Sequence, residues 1–296
     1  MIKEKQRVAI NSIFAAILLT SSKIVVGIIT GSLGIIAEAL HSGIDLLATF
    51  ITYFSVRVSD KPADKEHNYG HGKIENLSAL IQTILLLITC VWIIYEAINR
   101  LVNSNTNVDV NAWSYVVVIT SIIVDITRSR ALYKVAKKHN SQALEADALH
   151  FSSDIWSSVV VLLGLLCVDF GFLFVDSIAA LIVSIIILFV SFRLGKKAID
   201  VLIDKAPKGL NGIITQTLES FSEIKKYHSL KIRMAGADTF VKVNIHLEPN
   251  LSLEEVHKTC DKIEKEIANK IPRCEIYLHA EPHNKDHNYN ETSDKL

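Results

Sequence analysis

Net charge is the first thing missing from this chain: 31 lysines and arginines stand against 31 aspartates and glutamates in 296 residues. No basic or acidic excess is left over to point to nucleic acid. Cysteine is also scarce. Cys90, Cys167, Cys260 and Cys274 are the whole set, and none lies in a Cys-x-x-Cys frame. Such thiols fit a reduced compartment and a packing role better than a disulfide framework. A secretory signal peptide is missing too, because the first apolar run is too long and no small-residue cleavage site follows it. Charge is thin through the apolar runs of the first two-thirds and dense after about Lys205. Half of the residues are hydrophobic, and mean hydropathy is +0.31. A membrane part followed by a soluble part accounts for that division better than one globule does.

A helix needs about 20 apolar residues to cross the hydrocarbon core. Six runs qualify: about Val8–Thr30, Leu33–Val56, Ile74–Ile98, Ala112–Leu132, Ala143–Val168 and Phe172–Leu194. Gly31-Ser32 predicts a tight turn between the first two, and Asp169–Gly171 another between the last two. The fourth run is the weakest, since it holds Asp125, Arg128 and Arg130. Basic residues cluster before the first span, around the second–third connection, before the fifth span and after the sixth. The third–fourth loop, Asn99–Asn111, has only Arg100. The positive-inside rule then places both termini in the cytoplasm of a cell (inner or plasma) membrane protein.

The most informative pattern is an internal echo. Ala37-Glu38-Ala39-Leu40-His41-x-x-x-Asp45 recurs as Ala146-Asp147-Ala148-Leu149-His150-x-x-x-Asp154. One copy lies in span two and the other in span five, so they cross the membrane in opposite directions. That is the trace of a three-plus-three inverted repeat with its substrate site between the halves. Residues i and i+4 share a helix face. Each pair therefore offers an imidazole and a carboxylate to a common point, and two facing pairs make an N2O2 ligand set. Zinc favours four-coordinate sites built from these groups. A polar helix–helix contact would explain one such pair, but it is a poor account of two in the same frame.

Other intramembrane polar residues carry weaker signals. Lys23 reads as structural, Asp125 with Arg128 as a compensated pair, and Asn11, Glu75 and Gln82 as hydrogen-bonding groups between helices. In the second–third loop, Asp64, His67 and His71 have ligand-like spacing. Gly70 and Gly72 let the backbone fold tightly around an ion. From about Gly209 to Pro282 the texture changes. Asn211–Phe221 predicts a helix, Tyr227–Met234 and Thr239–Glu248 predict strands, and Ser252 with Glu255 predicts a capping box. That box opens a helix to about Lys270, and Glu275–His279 predicts a last strand. His228, His246, His257, His279 and Glu281 gather in this region. The expected fold is a membrane all-α six-helix bundle plus a small cytoplasmic α+β (α-β-β-α-β, two-layer) domain. Residues 1–207 form the six-span transmembrane domain and 208–283 the cytoplasmic metal-binding and dimerisation domain. Residues 284–296 are a polar tail.

With Gly31-Ser32-Leu33, the His41/Asp45 pair, Gly70-His71-Gly72-Lys73-x-Glu75, the His150/Asp154 pair and Leu251-Ser252-Leu253-Glu254-Glu255-Val256-His257, the chain resembles the cation diffusion facilitators. These are proton-coupled exporters of zinc and related ions. The likeness runs over roughly residues 5–283. It implies that His41, Asp45, His150 and Asp154 form the transport site and that Asp64, His67 and His71 form a loop site. It also implies that His228, His257, His279 and Glu281 belong to a metal cluster that stabilises a homodimer. Lys73 resembles the lysine that ties the protomers together through Asp204. One departure stands out: the family's second cluster histidine falls on Asn244. Either His246, two residues on and on the same strand face, replaces it, or the cluster is incomplete.

Within the family, His-x-x-x-Asp in both spans resembles zinc exporters, and all-carboxylate sites resemble manganese ones. Imidazole suits zinc on chemical grounds, while iron(II), cobalt and cadmium are not excluded by N2O2 ligation. The expected function is therefore divalent cation efflux in exchange for protons, with Zn2+ as substrate and structural ion; export of Fe2+, Co2+, Cd2+ or Mn2+ by the same mechanism is the alternative. The expected partners are the ions, a second copy of the chain and the bilayer, and not nucleic acid. No additional base, nucleophile or oxyanion-hole motif accompanies the ligands, so an enzyme is not expected. A membrane metal sensor or scaffold is the competing class.

Overall fold

A computed structural model of the chain describes residues 2–30, 33–103, 112–169 and 174–283. The predicted turn at Gly31-Ser32, the residues after Asp169 in the second turn, most of the 99–111 loop and the tail 284–296 lie outside the described residues. The chain divides into two compact units, Met1–Ile199 and Asp200–Leu296.

The first unit is built from long helices: α1 (Ile2–Thr30), α2 (Leu33–Ser59), α3 (Lys73–Asn103), α4 (Ala112–His139), α5 (Gln142–Asp169) and α6 (Phe174–Leu202). The shortest has 27 residues, about 40 Å at 1.5 Å per residue, against a hydrocarbon core of about 30 Å. Several run past the predicted apolar limits. Helix α4 continues from Leu132 to His139, because Lys134, Ala136, Lys137 and Lys138 are good helix formers that need no burial. Glu4–Val26 and Lys73–Asn99 are each apolar enough to cross a membrane by composition alone. Phe14, Leu18, Ile88, Trp92, Ile185 and Phe189 face outward, an apolar surface suited to lipid rather than water.

Small residues set the helix contacts. Ala9, Ala48, Ala79, Ala143, Ala146 and Ala148 are buried, which lets backbones approach closely. At Gly195 of α6 an added Cβ would fall 2.9 Å from Thr83 Cγ2 of α3. Polar bonds cross the same contacts. Gln82 Nε2 donates to Thr52 Oγ1 at 2.7 Å, and Lys23 Nζ to Ser42 Oγ at 2.7 Å. Lys5 Nζ donates to Asp60 Oδ1 at 2.7 Å and to Glu75 Oε1 at 2.8 Å, and Lys5 is 1 % exposed. The predicted Asp125–Arg128 pair is present at 3.3 Å. The same guanidinium donates to Ser12 Oγ and Thr49 Oγ1 and lies 3.6 Å from the centre of the Phe151 ring.

The second unit carries the order α7 (Leu210–Glu219), β1 (Lys226–Ala235), β2 (Asp238–Leu247), α8 (Leu253–Lys270) and β3 (Cys274–Pro282). The sheet order is β1-β2-β3. Strands β1 and β2 are antiparallel. Helix α8 carries the chain across to β3, which runs parallel to β2. The predicted capping box is formed at Ser252 and Glu255. Val241, Val243 and Ile245 occupy one face of β2 by the period of two. They pack with Ile214, Leu218, Ile263 and Ile267 from the helices. The even-numbered face of β2 is left for other uses. The architecture is a helical membrane unit followed by a two-layer α+β unit.

Candidate metal centres

The first centre lies between α2 and α5. His150 Nε2 is 2.9 Å from Asp45 Oδ1 and 3.8 Å from Asp154 Oδ2. One ligand atom from each of Asp45, His150 and Asp154 lies within 4.8 Å of the others. Asp45 and His150 are buried. The i,i+4 spacing brings His150 and Asp154 to one helix face, and α2 supplies Asp45 from across the contact. Helix α2 also carries His41, one turn before Asp45, but its side chain, like that of Glu38, lies outside the described residues. Asp147, one turn before His150, is fully buried beside the centre.

The second centre is the α2–α3 loop. Asp64, His67 and His71 are within the same ligand-atom limit. Asp64 Oδ1 accepts from the backbone N–H of His67 at 2.7 Å and of Glu66 at 3.0 Å. These bonds, the His67 N–H foremost, hold its carboxyl below the ordinary range. His71 Nε2 lies 3.4 Å from Asp64 Oδ2, and the two imidazole rings are 4.3 Å apart at their centres. Gly70 has φ 73° and donates to His67 O at 2.9 Å. That turn folds His71 back over Asp64, and it is a conformation glycine adopts without strain.

The third centre lies on the sheet face opposite the helices. His246 Nε2 is 3.0 Å from His228 Nδ1 and 3.7 Å from Glu281 Oε2. His228, His246 and Glu281 also satisfy the ligand-atom limit. Register explains the grouping: His228 pairs with Asn244, Asn244 with His279, and His246 with Glu281. A bulge between His228 and Lys231, with Ser229 at φ 55°, ends the regular pairing beside His228. His246 has no solvent exposure, and that burial, first among its surroundings, lowers its pKa. The neutral ring so favoured is the form a metal needs.

Of the other residues assigned to this cluster, His257 stands apart within the chain and His279 reaches Glu281 from an exposed position. The His257 side chain is 73 % exposed on α8, 3.7 Å from Asp261. The His279 side chain is 66 % exposed, its Nε2 3.6 Å from Glu281 Oε1. Asn244 takes a part that the sequence did not announce. Its amide donates to Glu281 Oε1 at 2.8 Å and so orients the carboxylate of this cluster. Asp204 Oδ2 lies 3.7 Å from Arg233 Nη1. Sequence reasoning named Glu75 as a hydrogen-bonding group between helices but missed the Lys5 ammonium that bridges it to Asp60, and it missed the binding of Glu4 by Lys138 and His139 at 2.7 and 2.9 Å. The acidic first turn of α3 was the only local hint of the former.

Comparison with known proteins matches both units of the chain. The cation efflux transmembrane domain matches residues 9–203, and the cation efflux protein cytoplasmic domain matches residues 207–283. The chain is 33% identical over 284 residues to the uncharacterized transporter MJ0449 of Methanocaldococcus jannaschii, covering 94% of this chain and 99% of that one. It is 30% identical over 256 residues to the cation-efflux pump FieF of Yersinia enterocolitica, covering 86% and 84%. Among solved structures, the metal-bound C-terminal domain of the CzcD transporter from Thermotoga maritima matches at 25% identity. That match covers 26% of this chain and 92% of that one, with a TM-score of 0.25. With both units matched, the chain belongs to the cation diffusion facilitator family of cation-efflux membrane transporters.

Proposed function

We propose that the protein exports Zn2+ from the cytoplasm in exchange for protons, through a site made by His41, Asp45, His150 and Asp154. The observation that carries this reading is the convergence of Asp45, His150 and Asp154 inside the helical unit. Ionisable groups within a membrane span are costly and usually line a substrate path. Two carboxylates neutralise a divalent ion, and imidazole ligation favours zinc over manganese. Fe2+, Co2+ and Cd2+ fit the same donor set and are the alternative substrates.

Proton coupling follows from the ligands. A bound ion needs neutral imidazole and ionised carboxylate, so protons and metal compete for the same atoms. Cytoplasmic metal loads the deprotonated site, the helices rearrange, and protons from the other side displace the ion. Asp64, His67 and His71 form an exchangeable site at the cytoplasmic mouth, with both termini on that side. The His228, His246 and Glu281 centre holds a structural ion in a homodimer, which Lys73 and Asp204 interlock. The donor set of this centre, two imidazoles and a carboxylate, fits Zn2+.

The test is Zn2+ uptake into everted vesicles or proteoliposomes under an imposed pH gradient. His150→Ala and Asp45→Asn are expected to reduce uptake to background, and dissipating the gradient is expected to do the same for the parent. Undiminished pH-dependent uptake by the double variant would remove the transport site from this position. Ion binding with no flux in the parent would favour a sensor.

A further inference from the structure

We propose that His283 is a ligand of the metal centre on the open face of the cytoplasmic sheet. That centre is then His228, His246, Glu281 and His283, one register step along the strands from Asn244 and His279. The inference rests on the reading of this cluster as a metal site and deepens it.

Register is the first argument. Asn244 lies opposite His279, and His246 lies opposite Glu281. Residues two apart on a strand point to the same face and are separated by about 6.6 Å. This chain has an amide at 244 and an imidazole at 246. A centre that uses His246 therefore moves toward the C-terminal ends of β2 and β3. On β3 and just past its end the same face then offers Glu281 and His283, while His279 lies one step back and touches the cluster only through Glu281. The exposure of the rings agrees, since His279 is mostly in solvent and His246 fully enclosed.

The second argument is how His283 is held. Its backbone N–H donates to Leu247 O at 2.8 Å, which continues the β2–β3 pairing one residue past Pro282. That bond fixes the residue on the ligand face. Its ring meets the His246 ring edge to face, with centres 6.0 Å apart and planes at 89°. His283 Nδ1 is buried and has no hydrogen-bond partner among the described residues. A buried imidazole nitrogen without a partner costs free energy unless something binds it. An ion between the two rings is such a partner.

The third argument is the donor set. Three imidazoles and one carboxylate match a closed four-coordinate zinc site. The Asn244 amide, a poor ligand, holds Glu281 Oε1 instead, which is the outer-layer support that metal-bound carboxylates commonly have. His257 is excluded within the protomer. It belongs to α8, whose Ile263 and Ile267 pack on the opposite face of the sheet.

The test uses the full-length protein in detergent, with His150→Ala and Asp64→Ala to silence the other two centres. Co2+ is titrated and its visible absorption read, and Zn2+ affinity follows by competition. His283→Ala is expected to weaken binding at least tenfold, and His279→Ala to change it less than about twofold, since losing even an outer-layer partner typically costs 10–100-fold. His283→Cys is expected to bind Co2+ with a new sulfur-to-cobalt charge-transfer band, which only direct ligation produces. Parent-like affinity in His283→Ala, no such band in His283→Cys, or a larger loss from His279→Ala than from His283→Ala would overturn the assignment. Parent-like binding by His246→Ala would overturn the metal reading of the cluster itself, and this inference with it.

Discussion

Arg128 has no bulk water to solvate it. It is buried in α4, and Asp125, Ser12, Thr49 and the face of Phe151 replace the water. Two of these neighbours adjoin the proposed transport site: Thr49 is one turn beyond Asp45, and Phe151 follows His150. Removing one partner of a buried ion pair strands the other charge and typically costs about 3–5 kcal/mol. Arg128→Met is therefore expected to destabilise the detergent-solubilised protein by about 3 kcal/mol, measured by thermal or denaturant unfolding. Asp125→Asn in the same chain should recover part of the loss. Arg128→Lys should recover little, because an ammonium cannot make the forked bonds to Asp125, Ser12 and Thr49 together. Recovery by lysine to the parent value would show that charge alone matters here.

At the scale of elements, close approach and capping decide the outcome. Helices α3 and α6 touch where Gly195 faces Thr83, and no room is left for a methyl group. Gly195→Ala is expected to lower the melting temperature, at the 1–3 kcal/mol typical of overpacking. Thr83→Ser should rescue it, since serine lacks the offending methyl and keeps the hydroxyl that donates to Ala79 O. Absence of rescue would place the strain elsewhere. Helix α8 depends on Ser252 and Glu255. Ser252→Ala is expected to cost about 1 kcal/mol, seen as faster hydrogen exchange in the first turns of α8. Glu255 titrates below its ordinary 4.5, first because the Ser252 hydroxyl donates to it. Its contribution is then complete above about pH 4.5 and is lost as pH falls through the lowered value, so exchange in α8 should quicken only in acid.

These elements also show what the sequence could and could not tell. The six helices were legible because long apolar runs have few other uses, and Ser252 was legible because a capping box is local. Helix ends were not, since Lys137 and Lys138 extend α4 as readily as they would start a loop. Strand β3 runs three residues past the expected end at His279, because pairing with β2 carries it through Glu281 to Pro282. The His150/Asp154 pair was legible from i,i+4 spacing alone. The Lys5 bridge was not, because its partners lie 55 and 70 residues away and no short-range pattern marks them.

For the whole molecule, the three candidate centres among the described residues predict three ions per protomer. Equilibrium dialysis against Zn2+ with elemental analysis should find that number, falling by one in each of Asp45→Asn, Asp64→Ala and His246→Ala. A count unchanged by any one of these would remove that centre from the scheme. The buried bridge from Lys5 has a mechanical consequence. It ties the entry of α1 to the exit of α2 and the entry of α3, so those three ends travel as one rigid block unless the bridge breaks. Because Lys5 is sealed from solvent, dissolved salt screens this tie far less than a surface pair. The three helix ends should thus keep their mutual positions from low to high salt.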